Sequence, residues 1–279
     1  MAMVTTRLGE LRVEVVGSGP PAVLWHSLFV DATSWDGVRS RLSEHRQLVI
    51  IDGPGHGGSA CPSVKFTLAD CADAAGEVLD GFGFRDVPVD WVGNAWGGHV
   101  GVVFAARTPG RCRSLVTIGT PIEALTTPQA RQVRMLLAVY RLTGPITPLV
   151  KPLCDALIGR SGDAQYKRLV AEAFRRAARA GMANAVRSIS LHRPNLTADL
   201  AAVTAPTLFV AAADDPTWTP DDSRVAAAFL PNGQCEIVAG GGHVAALYEA
   251  PGAIVSLIQK FWRAAGDPVD RETHLCPGS

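Results

Sequence analysis

The chain has 279 residues, and its 26 basic and 26 acidic side chains cancel to zero net charge. That length suits one large α/β domain, or one domain with an insertion, and is ample to bury a core. No Lys/Arg-rich run is present, which argues against nucleic acid or an anionic membrane as partner and leaves a small-molecule ligand as the expectation.

The opening stretch "MAMVTTRLGELRVEV" has no apolar signal-like core, and no segment reaches the ~18 unbroken apolar residues of a membrane helix, so a soluble, cytoplasmic protein is expected. The six cysteines are scattered, without a CxxC or a His/Cys cluster at metal spacing. They read as free thiols in a reducing compartment, and no metal or organic cofactor is implied. Strands are expected at "LRVEVVG", "PAVLWHS", "QLVIIDG", "VDWVGN", "SLVTIGT", "PTLFVAAADD" and "QCEIVAGGG". Helical patterns alternate with them, including "TLADCADAAGEVLDGFG", which Thr67 caps and Gly81 and Gly83 end. This order is that of a mostly parallel sheet flanked by helices on both faces.

Residues 122–196 break the alternation with "PQARQVRMLLAVYRL", "ITPLVKPLCDALIGR" and "AQYKRLVAEAFRRAARAGMANAVRSISLH", all at helical spacing. They are expected to form a helical cap inserted between two parts of a core, 1–121 and 197–266. The basic residues of the cap mainly form a solvated face, with one of them a candidate for meeting a substrate carboxylate. Exposed cap helices commonly pair, so a homodimer is a further expectation. One last helix is expected over "LYEAPGAIVSLIQKFWRAAG", and the polar stretch 267–279 is read as a flexible tail.

Chemistry concentrates at "VDWVGNAWGGHVGVVFAARTPG", where an apolar strand runs through a tight turn into a small-residue helix ended by Pro109 and Gly110. Such a turn lifts one side chain into a cleft, and here that residue is Ala95. Gly93-Asn94-Ala95-Trp96-Gly97 resembles the nucleophile elbow of the α/β-hydrolase fold, in its serine hydrolase branch of esterases, lactonases and carbon–carbon hydrolases. The resemblance spans about residues 10–265, and the remaining landmarks follow in order. It implies an eight-stranded, mostly parallel sheet flanked by helices.

On this resemblance "VLWHSLF" supplies an oxyanion-hole donor, the backbone N–H of Leu28, with Ser27 where the family usually has glycine. The second donor is the N–H of Trp96. His26 reads as a structural residue holding that loop, and His99 as packed structurally. "IIDGPGHGGS" is similar to the family's turn after the fourth strand and is architectural, since its glycines match no phosphate-binding spacing. The triad carboxylate falls on Asp215, with Asp214 as fallback and Glu123 as the acid used by some members after the sixth strand. His243, on the glycine-rich loop after the last strand, takes the general base and acid role. Phe29 and Trp218 are expected to line the substrate pocket, and the Trp96 ring to face it as well.

The resemblance thus implies hydrolysis of an apolar small-molecule ester or lactone, with the nucleophile position held by Ala95. Several readings of that alanine stay open. A serine-to-alanine knock-out explains best why every other part is kept; a natural loss with a pocket retained for ligand reception is another. A lost aspartate would match the "Asp-Trp-Gly-Gly" elbows of haloalkane dehalogenases and epoxide hydrolases, although His26-Ser27-Leu28-Phe29 stands where those families show His-Gly-x-Pro. A cofactor-free oxygenase of this fold is the remaining alternative.

Overall fold

Residues 1–266 are described in a computed structural model of the chain. The stretch 267–279, read above as a tail and containing Cys276, lies outside the described residues.

Eight strands, β1 (Ala2–Thr6), β2 (Gly9–Val16), β3 (Pro21–Trp25), β4 (Gln47–Ile51), β5 (Val89–Asn94), β6 (Cys112–Ile118), β7 (Thr207–Ala212) and β8 (Gly233–Val238), form one sheet in the order β1-β2-β4-β3-β5-β6-β7-β8. The β1–β2 and β2–β4 pairs are antiparallel and every other pair is parallel. The helices are α1 (Asp36–Leu42), α2 (Leu68–Gly81), α3 (Trp96–Arg107), α4 (Thr127–Thr143), α5 (Thr147–Ile158), α6 (Ala164–Arg176), α7 (Arg179–Ala185), α8 (Thr197–Ala201), α9 (Pro220–Ala228), α10 (Ala245–Glu249) and α11 (Pro251–Ala264).

Alternate strand residues enter two cores: Val23, Trp25, Val49 and Ile51 join α2 and α3, while Ala22, Leu24, Leu48 and Ile50 join α1 and α11. Burial on both faces explains why the central strands read as unbroken apolar runs. Strand β1 went unread because its short, mostly exposed Ala-Met-Val-Thr-Thr run gives neither alternation nor a continuous apolar stretch. At Thr67 the expected cap is a full capping box, its hydroxyl accepting from the Asp70 N–H and the Asp70 carboxylate accepting from the Thr67 N–H.

Between β6 and β7 lie α4 to α8, without a strand, and residues of α4 to α7 form a hydrophobic cluster of their own with Val30 and Val244. Two helical stretches read as continuous are divided. The run from Ala164 breaks at Ala177–Ala178, both extended, because the chain must turn to lay Gly181 on Gly55 and Cys61. It then ends in a π-helical turn at Val186–Leu191. The last helix splits at Ala250, since Pro251 lacks the N–H a continuous helix needs and instead starts α11.

Candidate active site

Strands β5, β6, β7 and β8 run parallel side by side, so the segments leaving their C-terminal ends converge. Ala95 follows β5, Asp215 the end of β7, and His243 the end of β8. This edge of an open α/β sheet is where ligand sites form.

Ala95 has φ 47° and ψ −103°. It and Phe29, with φ 72°, are the non-glycine residues with positive φ among the described residues, and both sit at this edge. The elbow closes tightly around the apex. A Cβ on Gly93 would lie 2.1 Å from the Gly97 carbonyl carbon, and one on Gly97 would lie 1.8 Å from the Trp25 carbonyl oxygen. The Ala95 N–H donates to the Ile118 carbonyl at 2.8 Å, locking the turn to β6.

His243 Nδ1 lies 2.8 Å from Asp215 Oδ2 and 2.6 Å from the Thr217 hydroxyl. The Thr217 hydroxyl donates to Asp215 Oδ1 at 2.7 Å, and the Thr217 N–H donates to the same oxygen at 2.8 Å. The three groups form a closed cycle with an N–H on His243 Nδ1, which leaves Nε2 as the lone-pair nitrogen. Burial pushes the Asp215 carboxyl up, but the hydrogen bonds from His243 and Thr217 outweigh it and hold it below the usual carboxylate range. Asp214 and Glu123 are exposed and make no bond to His243, so Asp215 is the acid brought to it.

Three hydrogen bonds fix the histidine loop. The Asn94 side-chain amide donates to the Ile118 carbonyl at 2.9 Å and reaches the His243 carbonyl at 3.4 Å, linking the residue before the apex to the histidine loop. The His243 and Val244 N–H groups donate to the Ala156 and Leu157 carbonyls of α5.

The backbone N–H groups of Leu28 and Trp96, expected as oxyanion donors, engage no protein acceptor among the described residues. His26 is fully buried: its Nε2 accepts from the Gly53 N–H at 2.8 Å while Nδ1 faces the Ser27 carbonyl at 2.6 Å. His56 Nε2 accepts from the Phe29 N–H at 3.2 Å, and burial pulls its ring down to about 3, so it stays neutral. The glycine-rich turn packs beneath these groups, Gly53 against the Trp96 ring. His99 is buried, with Nε2 2.7 Å from the Pro121 carbonyl, and burial together with the Arg193 charge keeps it well below the usual histidine range.

A cavity of about 310 Å³ opens inside the inserted helices, lined by Phe29, Leu137, Tyr140, Leu149, Leu153 and Phe174 among others. Ala156, whose carbonyl holds His243, also lines it. Two expected pocket residues are elsewhere. Trp218 is 2% exposed and belongs to the core cluster that also holds Ala226, Ala227 and Leu230. The Trp96 ring turns inward against Trp25, His26 and His56, at centroid distances of 5.6, 5.7 and 5.1 Å. Sequence reading missed Thr217 and His56 as parts of the site. The signal for Thr217 was its place two residues after a carboxylate, where Asp side chains cap the local turn.

Among the described residues no cluster of three His, Cys, Asp or Glu could hold a metal, and no helix is long and apolar enough to cross a membrane.

The chain superposes on a thermophilic esterase from Thermogutta terrifontis with TM-score 0.87 at 23% identity, covering 95% of this chain and 98% of that one. It is 32% identical over 114 residues to a 2-hydroxy-6-oxo-2,4-heptadienoate hydrolase of Pseudomonas putida, covering 39% of this chain and 41% of that protein. It is 26% identical over 262 residues to a pimeloyl-[acyl-carrier protein] methyl ester esterase of Xanthomonas oryzae pv. oryzae, covering 90% and 98%. The chain spans less than half the length of the first curated relatives it matches, 27% and 41% in two of them. The sequence model of the alpha/beta hydrolase fold matches residues 20–250, most of the chain, and with the elbow and the sheet order described above it shows that the chain belongs to the α/β-hydrolase fold family.

Proposed function

We propose that this chain is the frame of a serine-type hydrolase for an ester or lactone of an apolar small molecule, standing here with alanine at the nucleophile position. The observation that carries the reading is the strained backbone of Ala95 beside an intact Asp215–His243 pair. Such strain costs of order 1–3 kcal/mol and is kept where a site needs it; a methyl group makes no use of it.

With serine at 95, the hydroxyl would attack a carbonyl carbon while His243 Nε2 takes its proton. Asp215 and Thr217 hold the Nδ1–H and stabilise the imidazolium. The Leu28 and Trp96 N–H groups would bind the oxyanion, and each such donor is typically worth about 3 kcal/mol of barrier. His243 then returns the proton to the leaving group, and water activated by the same nitrogen releases the acid. The apolar lining of the cavity supports an aliphatic or aromatic substrate portion, which desolvation draws in. A named relative that is a methyl ester esterase supports the ester reading, and a named dienoate hydrolase supports hydrolysis in the broader sense.

The test is hydrolysis of short and medium aryl esters and of a macrocyclic lactone by the chain as it stands, by Ala95→Ser and by Ala95→Asp, each also with His243→Ala. Ala95→Ser is expected to gain roughly 10³-fold or more, and to lose it with His243→Ala. The unchanged chain, with a methyl apex and an apolar cavity inside its inserted helices, also suits a hydrophobic-ligand receptor; saturable binding with both replacements inert would favour that reading and overturn the first.

A further inference from the structure

The zero net charge of the chain conceals an uneven distribution: residues 122–196 carry twelve basic and four acidic side chains, leaving the remainder acidic. Part of that excess gathers around a second concavity, of about 690 Å³, on the outer side of α7. Its wall is formed by Cys61, Pro62 and Ser63 from the core and by Arg141, Arg179, Gly181, Asn184 and Arg187 from the inserted helices, and it includes no carboxylate. None of the three arginines has an ion-pair partner among the described residues.

Two of the three guanidiniums are held rather than loose. Arg179 Nε donates to the Arg141 carbonyl at 3.0 Å and Arg179 Nη2 to the Leu142 carbonyl, so the group is anchored on the C-terminal end of α4 with Nη1 left over. Arg187 Nη2 donates to Asn184 Oδ1 at 2.8 Å, and the Asn184 amide donates to the Pro62 and Val64 carbonyls. Arg187 Nε is buried without a hydrogen-bond partner.

We propose that this concavity binds a phosphate ester of a small organic molecule, its phosphate taken by Arg141, Arg179 and Arg187. Three guanidiniums exceed what a single carboxylate balances, whereas a phosphate monoester brings about two charges and three acceptor oxygens at neutral pH. The planar fork of each guanidinium suits paired phosphate oxygens. The volume lies within the range of roughly 300–1,000 Å³ for small-molecule sites, so more than inorganic phosphate fits, and Pro62, Ala180 and Ala183 offer an apolar wall to the organic part. The site is separate from the apolar cavity: Met182 and Val186 face that cavity, while Ala183, Asn184 and Arg187 face this one.

Calorimetric titration of the whole protein with pyrophosphate, AMP and citrate tests the assignment without any need for turnover. AMP and pyrophosphate are expected to bind one per chain and more tightly than citrate. Arg187→Gln and Arg141→Gln should each weaken that binding about tenfold or more, in line with a lost charge-assisted hydrogen bond, at unchanged melting temperature. Arg131→Gln, on the same inserted helices but outside the concavity, should leave it unchanged. Absence of saturable binding at millimolar ligand, equal loss in Arg131→Gln, or citrate binding as tightly as AMP would each overturn the proposal.

Discussion

At φ 47° and ψ −103° the Cβ of Ala95 crowds its own backbone, and the Gly93 and Gly97 contacts on either side leave the turn no other shape. Ala95→Gly should therefore raise the unfolding free energy by about 1 kcal/mol, strain relief exceeding the entropy glycine adds to the unfolded chain; a lower urea midpoint would contradict this. Ala95→Ser keeps the same backbone and should leave that midpoint where it is. Histidine burial acts with the opposite sign to a stabilising pair. His56 titrates near 3 when folded and near 6.5 when unfolded, so between those values the unfolded chain binds the extra proton. Stability then falls as pH drops from 6.5 toward 3, by up to about 1.4 kcal/mol per pH unit for each such histidine, and buried His99 adds in the same direction. Asp215, lowered in the fold, contributes stability above the ordinary carboxylate pKa that is lost only as pH falls through its own depressed value, a more acid window. Urea midpoints measured from pH 7 to pH 4 should show the histidine slope in the parent chain and a shallower one in His99→Gln.

Among the elements, the elbow was legible because small residues two before and two after an apex, between an apolar strand and a helix, leave few alternatives. Gly97→Ala should cost more than 3 kcal/mol, because the added methyl would overlap the Trp25 carbonyl, which belongs to a central strand unable to move; a loss below 1 kcal/mol would mean the strand yields. The order of elbow, acid and histidine was equally legible. What stayed hidden depended on partners distant in sequence. The inward turn of the Trp96 ring is set by the gap over Gly53, more than forty residues upstream. Trp218 looked like a pocket residue from its nearness to Asp215, yet a side chain three positions along a turn points elsewhere, and only the packing of α9 shows where. The division of the run from Ala164 answers to Gly55 and Cys61 in another part of the chain. Leu149→Trp, on α5, would fill part of the apolar cavity and should weaken binding of an apolar ester at least fivefold while leaving the melting temperature within a few degrees.

Across the whole molecule the two ends of the sheet have different duties. At the end away from the elbow, the buried Asp90 carboxylate accepts from Arg46 Nε at 2.7 Å, Arg113 Nε at 3.0 Å and the Ser114 hydroxyl at 2.6 Å. Asp90→Ala removes at once the buried carboxylate that accepts from two guanidiniums and a hydroxyl and should cost about 3–5 kcal/mol, read by urea denaturation, without altering ligand affinity in the folded fraction. At the other end, the loop bearing His243 is joined through its own N–H groups to the Ala156 and Leu157 carbonyls, and so to a helix that walls the apolar cavity. If α5 swings outward to admit a ligand, those two bonds must stretch or carry the imidazole along. On the proposed function, entry and arming would then be one event: His243 would reach its working position as the cavity closes, and an open cavity would hold no competent base with which to activate stray water.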